Sequence, residues 1–149
     1  MSVSPSFPDQ AQTLGALLRA PYEKLAVRLY GGLAERGYPG VRRAHGAVFR
    51  HLRPEGSRLT ELARAAGMTK QSMAYLVGAL ERQGYLEIVP DPVDARARQV
   101  RLTGSGRGLV EVLLRASREL EQEAARRLGQ ASLTDLRTQL LALDGALGD

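Results

Sequence analysis

Two stretches of the sequence carry side chains suited to recognising a polyanion: "TKQS" at 69–72 and "DPVDARARQVRLT" at 91–103. In the first, Gln71 can pair bidentately with adenine, Lys70 can reach guanine or a phosphate, and the hydroxyls of Thr69 and Ser72 suit either. If these residues open a helix, its free backbone N–H groups add a phosphate site. Ala74 then keeps the approach to a major groove open, and Tyr75 lines the same face. In the second stretch Arg96, Arg98 and Arg101 crowd a short ribbon that is apolar at its base through Val100 and Leu102. A guanidinium fits the narrow, electronegative minor groove, where it senses width more than base identity. Asp94 stands close enough to Arg96 to orient it through a carboxylate–guanidinium pair. Arg58 and Arg101 complete the set as phosphate contacts. Taken singly, each feature has a plainer reading, a solvated helix face or a charged hairpin with no partner. Side by side they point to double-stranded DNA.

The charge distribution agrees. The chain of 149 residues has a formal net charge of +5. Val41 to Arg107 holds 12 basic against 6 acidic residues, an excess of +6, and the remainder holds 9 against 10. Positive charge confined to one segment is the footprint of a polyanion partner. The apolar fraction of 44% can fill a core, so a disordered chain is not expected. There is no cysteine, which removes disulfides, thiolate metal sites and thiol redox sensing. His45 and His51 alone make a structural zinc site improbable, and no cofactor is implied. No apolar run approaches the ~20 residues that a bilayer requires, so the expected setting is cytoplasmic, with no membrane partner. An enzyme is not expected either. "GSGRG" at 104–108 lacks the Lys-Ser/Thr continuation of a phosphate loop and reads as a helix entry.

These groups need elements to hold them. Leu14, Leu17, Leu18, Leu25, Leu29 and Leu33 follow helical spacing between about Asp9 and Gly37, with Pro21 a kink or a helix start inside the run. "RGYPG" breaks the chain at 36–40, and Val41 to Leu52 is a second helix with Ala44, Val48 and Leu52 on one face. Thr60 is the expected N-cap of a short helix that ends at Gly67. Only Met68 separates that glycine from Thr69, a second N-cap, so the two helices must cross steeply as a helix-turn-helix. Met73, Leu76, Val77 and Leu80 form the buried stripe of the second helix, which Gly84 closes. "YLEIV" (85–89) and "QVRLT" (99–103) are antiparallel strands with Leu86, Ile88, Val100 and Leu102 facing the core. Their basic tip is a wing. Thr103 caps a long helix that buries Leu109, Val112, Leu113, Ala116, Leu120, Ala124 and Leu128. Ser132 opens the last helix, where Leu141 lies off the stripe of Leu133, Leu136, Leu140, Leu143 and Leu147. Leucines on several faces of the last helix, with Tyr22, Tyr30 and leucines around the first, are simplest to cover in a homodimer. Packing of these helices on one another within one chain is the alternative.

The residues from "RLTELARAAGMTKQSMAYLVGALERQGYLEIV" through "PDPVDARARQVRLTGSGRGL" resemble the central domain of MarR-type winged-helix repressors. The resemblance rests on the Leu-Thr-x-Leu-Ala entry, the Thr-Lys-Gln-Ser helix start and the Leu-x-x-x-Gly-Tyr-Leu before the wing. The Asp-Pro-x-Asp-x-Arg wing and the Leu-Thr-x-x-Gly exit complete it. It implies a mostly α fold with a small β-hairpin wing: a winged helix-turn-helix core at 41–103, an N-terminal dimerisation segment at 1–40 and C-terminal dimerisation helices at 104–149. It also implies a homodimeric regulator, expected to be a repressor, with one winged helix on each half of a palindromic operator and Arg96 in the minor groove. Where many relatives carry a second wing arginine this chain has Ala95, which shifts weight to Arg98. Relatives often bind a small aromatic or anionic effector between the dimerisation helices and the winged domain. Tyr30, His45, Phe49 and Met68 could line such a pocket, although plain core packing is the commoner role for such side chains. The alternative function is a winged helix used as a protein–protein module without specific DNA binding.

Overall fold

A computed structural model describes residues 10–148, in two compact units that meet in sequence at Leu113 and Leu114. The elements are α1 (Leu14–Gly31), α2 (Gly46–His51, preceded by a 3-10 turn at Arg43–His45), β1 (Ser57–Arg58), α3 (Leu59–Ala65), α4 (Lys70–Arg82), β2 (Leu86–Pro90), β3 (Arg98–Leu102), α5 (Gly104–Leu128) and α6 (Gln130–Leu147). The fold is thus mostly helical with a small antiparallel sheet. The expected start of the first helix near Asp9 lies outside the described residues.

Thr13 caps α1, its Oγ1 accepting the Ala16 N–H at 3.3 Å. The helix runs on through Pro21 and ends at Gly31, short of the expected Gly37. The chain turns there because Leu33 is fully buried and its carbonyl takes the Tyr38 N–H at 2.9 Å. Leu33, Val41, Leu109 and Leu113 then form one apolar cluster of the first unit. A second cluster gathers Val48, Leu62, Ala63, Met73, Leu76, Val77, Leu80, Leu86 and Val100. Phe49 and Tyr85 pack against both. The first unit therefore has a continuous core, with the buried stripe of α4 in its larger cluster.

Other expectations change as well, and the second helix expected over 41–52 is a 3-10 turn followed by a short helix, Gly46–His51. The wing is a three-stranded sheet of order β1-β3-β2, with Ser57 opposite Val100 and Arg58 opposite Gln99. Because β1 runs straight into α3, Arg58 takes the N-cap position instead of Thr60, and Glu61 accepts its backbone N–H at 3.2 Å. Ile88 is exposed although Leu86, two residues earlier, is buried. The helical core underlies only the base of β2, so period-two alternation does not decide burial further out.

The second unit comprises the α5 residues from Leu114 onward and α6. The final helix begins at Gln130, with Gly129 rather than Ser132 before its first turn. Arg137 and Glu121 pair across these two helices at 3.0 Å. Leu114, Leu128, Leu136, Leu140, Leu141 and Leu147 all remain exposed in the single chain.

Candidate nucleic-acid interface

The recognition turn forms as the caps require. Gly67 adopts φ +63°, a left-handed conformation that costs glycine nothing, and Met68 N–H returns to the Ala63 carbonyl at 2.9 Å. Thr69 Oγ1 accepts the Ser72 N–H at 3.1 Å and donates its own proton to Ser72 Oγ at 2.9 Å. Met73, Leu76, Val77 and Leu80 are buried, so α4 cannot rotate. Lys70, Gln71, Ser72, Ala74 and Tyr75 are left on the solvent side, Tyr75 with 74% of its surface exposed. An aromatic ring held that far out of the core is available to a partner.

The wing is built on the pairing of Glu87 with Arg101, Ile88 with Val100, Val89 with Gln99 and Pro90 with Arg98. Its tip is closed by Asp91 N–H to the Ala97 carbonyl and Ala97 N–H to the Asp94 carbonyl, both 2.9 Å. Arg96 and Arg98 are exposed, and among the described residues neither guanidinium has an ion-pair partner. Arg101 meets Glu87 across the strands at 3.2 Å. Asp94 does not hold the Arg96 guanidinium: its Oδ1 accepts the Arg96 backbone N–H at 3.0 Å. A side-chain oxygen two residues before an N–H closes an Asx turn, and that local bond wins.

The buried carboxylate that holds a guanidinium is Asp91, which the sequence reading passes over. It is 8% exposed and accepts Arg58 Nε–H at 3.0 Å. The Arg58 guanidinium first, then the backbone N–H groups of Asp94 and Val93, hold its carboxyl down at about 2. Arg58 and Asp91 lie far apart in sequence, so only the Asp-Pro turn signal marks this aspartate beforehand.

The residues named for an effector are scattered in role. His45 is buried, and its Nδ1 accepts the Arg42 backbone N–H at 2.9 Å. Burial, and then the charge of Arg42, pushes its pKa down. Half-burial raises that of the Tyr30 hydroxyl. Met68 packs against the larger core cluster. Phe49 lines a groove of about 290 Å³ with Leu52, Pro54, Leu102, Arg107 and Val110. Among the described residues no cluster of histidine and carboxylate side chains could hold a metal ion, and no helix is long and apolar enough to cross a membrane.

Comparison with known proteins places this architecture. The sequence model of the MarR family matches residues 40–97, from the break before the 3-10 turn to the wing tip. The transcriptional activatory protein BadR of Rhodopseudomonas palustris is 35% identical over 91 residues, which is 61% of this chain and 51% of that protein. The matched stretch thus spans about half the length of that relative. The reduced form of MarR from E. coli superposes with a TM-score of 0.75 at 21% identity, covering 96% of this chain and 98% of the other. Bordetella bronchiseptica BpsR, described in a structure concerned with regulation of its DNA binding by 6-hydroxynicotinic acid, gives 0.68 at 21% identity over 95% and 98%. The helix-turn-helix and most of the wing of this chain fall inside the segment that is similar to the MarR family.

Proposed function

We propose that this chain is a sequence-specific regulator of transcription that binds palindromic duplex DNA as a homodimer. One observation carries the reading. The same α4 that buries its apolar stripe leaves Lys70, Gln71, Ser72 and Tyr75 in solvent, beside a wing whose Arg96 and Arg98 have no ion-pair partner among the described residues. In this reading Gln71 and Lys70 meet base edges, Ser72 and Tyr75 line the groove, and Thr69 caps the helix and touches phosphate. Arg96 and Arg98 enter the minor groove, while Arg58 and Arg101 meet phosphate. The family is one of regulators rather than enzymes.

Dimerisation is supported by the apolar surface. Leu14, Leu17 and Leu25 on α1, and Leu136, Leu140 and Leu141 on α6, are exposed in the single chain. Exposed leucines in such numbers, on α1 and separately on α6, are surfaces that a second copy can cover. Two winged helices related by a two-fold axis then require half-sites about one helical turn apart, roughly 10 base pairs between centres. The proposed sign is repression, by occupancy of a promoter. BadR is named an activatory protein, so a promoter-fused reporter reads the sign directly. A small aromatic or anionic effector is part of the same reading. It is supported by the mostly apolar groove that Arg107 helps to line and by the acid named for BpsR.

Binding of a fluorescent duplex taken from upstream of the gene, against a scrambled duplex at two salt concentrations, tests the proposal. Specific binding should weaken steeply with salt, with a log–log slope of about −0.9 per phosphate neutralised, and Arg96→Ala should weaken it further. A winged helix serving only as a protein–protein module shows neither the slope nor the preference.

A further inference from the structure

Among the described residues Asp91 is the only buried acidic side chain, and it sits in the part of the molecule that is otherwise most cationic. A carboxylate next to a surface meant for phosphate opposes binding by simple charge. Its bonds show what offsets that. Oδ2 accepts Arg58 Nε–H at 3.0 Å, while Oδ1 accepts the N–H groups of Val93 at 2.8 Å and Asp94 at 3.0 Å. Arg58 belongs to β1 at the entry to α3, and the other two belong to the wing-tip turn. Asp94 extends the chain of contacts to Arg96 through the backbone bond at 3.0 Å. One carboxylate therefore links the foot of the helix-turn-helix to the loop that carries the tip arginine. Held through Nε, a guanidinium still has its terminal N–H groups to give to another acceptor, and the Arg58 side chain is 39% exposed.

We propose that Asp91 is the positioning residue of the wing: it sets the Arg58 guanidinium and the turn bearing Arg96 as one unit, ready for the phosphate backbone and minor groove of duplex DNA. This rests on the DNA-binding reading above. Ordering an arginine side chain during binding costs a factor of about 2–12 in affinity, and a dimer meets that cost in both subunits. Asp91 removes it beforehand.

The test is anisotropy with the same duplex for wild type, Asp91→Asn, Arg58→Ala and the double variant, with Arg96→Ala as reference. Asp91→Asn removes negative charge, so electrostatics alone tightens binding. Positioning predicts the opposite, a loss of about 5-fold or more, a salt slope shallower by about 1.8 for one phosphate lost per subunit, and no further loss in the Arg58→Ala background. A merely structural role lowers the melting temperature and leaves the salt slope of the folded protein unchanged. If Arg96→Ala weakens binding while Asp91→Asn tightens it, or adds in full to Arg58→Ala, the positioning role is overturned and DNA binding stands. If wild type binds the duplex no better than scrambled DNA, both readings fall together. Should Asp91→Asn not fold, Arg58→Lys probes the same contact, since an ammonium keeps the charge but not the fork. A loss matching that of Arg58→Ala supports the role, and wild-type affinity overturns it.

Discussion

Substitution of alanine at two glycines of α5 should move stability in opposite directions. Gly106 lies in the first turn of the helix, where an added Cβ would stand 2.0 Å from the Tyr85 carbonyl oxygen and 3.0 Å from its carbon. Neither side can yield cheaply. The Tyr85 carbonyl accepts the Thr103 N–H at 3.1 Å, and the Tyr85 N–H is bound to the Leu80 carbonyl at 3.0 Å. The Gly106 N–H is itself held by Thr103 Oγ1 at 3.1 Å, and that hydroxyl donates to the Gly84 carbonyl at 2.5 Å. The helix entry must tilt away from the base of β2. Overpacking of this kind costs about 1–3 kcal/mol, and a backbone obstacle puts Gly106→Ala in the upper part of that range. The gain from replacing glycine inside a helix, about 0.5–1 kcal/mol, offsets part of it. The net loss of about 1–2 kcal/mol should lower the melting temperature by roughly 2–8 °C. At Gly108 the nearest atom to an added Cβ is Tyr38 Oη at 3.7 Å, an ordinary contact. There only the helix gain remains, and Gly108→Ala should raise the melting temperature by roughly 1–4 °C. Thermal unfolding at one protein concentration, followed by circular dichroism, reads both. Shifts of the same sign would refute the packing account of Gly106.

Thr69→Ala removes the cap of α4 and should cost about 0.5–2 kcal/mol in thermal unfolding, with Thr69→Ser recovering most of it; equal losses for both would deny the capping role. Gln71→Ala should cost about 1–3 kcal/mol of DNA affinity and relax preference at one base pair, and unchanged affinity and preference in a base-substitution series would remove Gln71 from the readout. His45 is held below its ordinary pKa by burial and then by Arg42, so the unfolded chain binds its proton more readily. Its contribution is complete above the unfolded value of about 6.5 and is lost as pH falls through the lower folded one. Melting temperatures from pH 7.5 to 5 should therefore drop more for wild type than for His45→Asn, and parallel curves would contradict this.

The parts of the molecule that could be read from sequence are those whose causes are local. Met73, Leu76, Val77 and Leu80 declare a helix and its buried side by spacing alone, and Thr69 and Gly67 declare its start and the tight link before it. Strand β1 has no such signature. Two residues cannot show a period, and Ser57 and Arg58 are a strand only because Val100 and Gln99 lie opposite. The exposure of Ile88 has the same origin, since alternation reports which residues share a face and not how far the core extends beneath it. Asp94 and Asp91 make the contrast sharpest. Asp94 stands two residues before Arg96, and that very closeness lets the backbone N–H claim the carboxylate. Asp91 has no arginine near it in sequence, yet folding delivers Arg58 to it.

The wing arginines consequently stand in different states before any DNA arrives. Arg101 is shared with Glu87, but both side chains are near half exposed. An exposed pair of this kind contributes roughly 0–1 kcal/mol, so a phosphate can take Arg101 from Glu87 at little cost. Arg96 and Arg98 are not shared at all among the described residues. Arg58 is tied to a carboxylate that is itself buried and bonded three times, so exchange would strand Asp91 without a cation. Arg58 can therefore serve DNA only while keeping Asp91, by adding a phosphate to its terminal nitrogens. That asymmetry ties the geometry of the wing tip to one arginine at the foot of α3. In the DNA-binding reading proposed above, it leaves the tip arginines free to adapt to a groove.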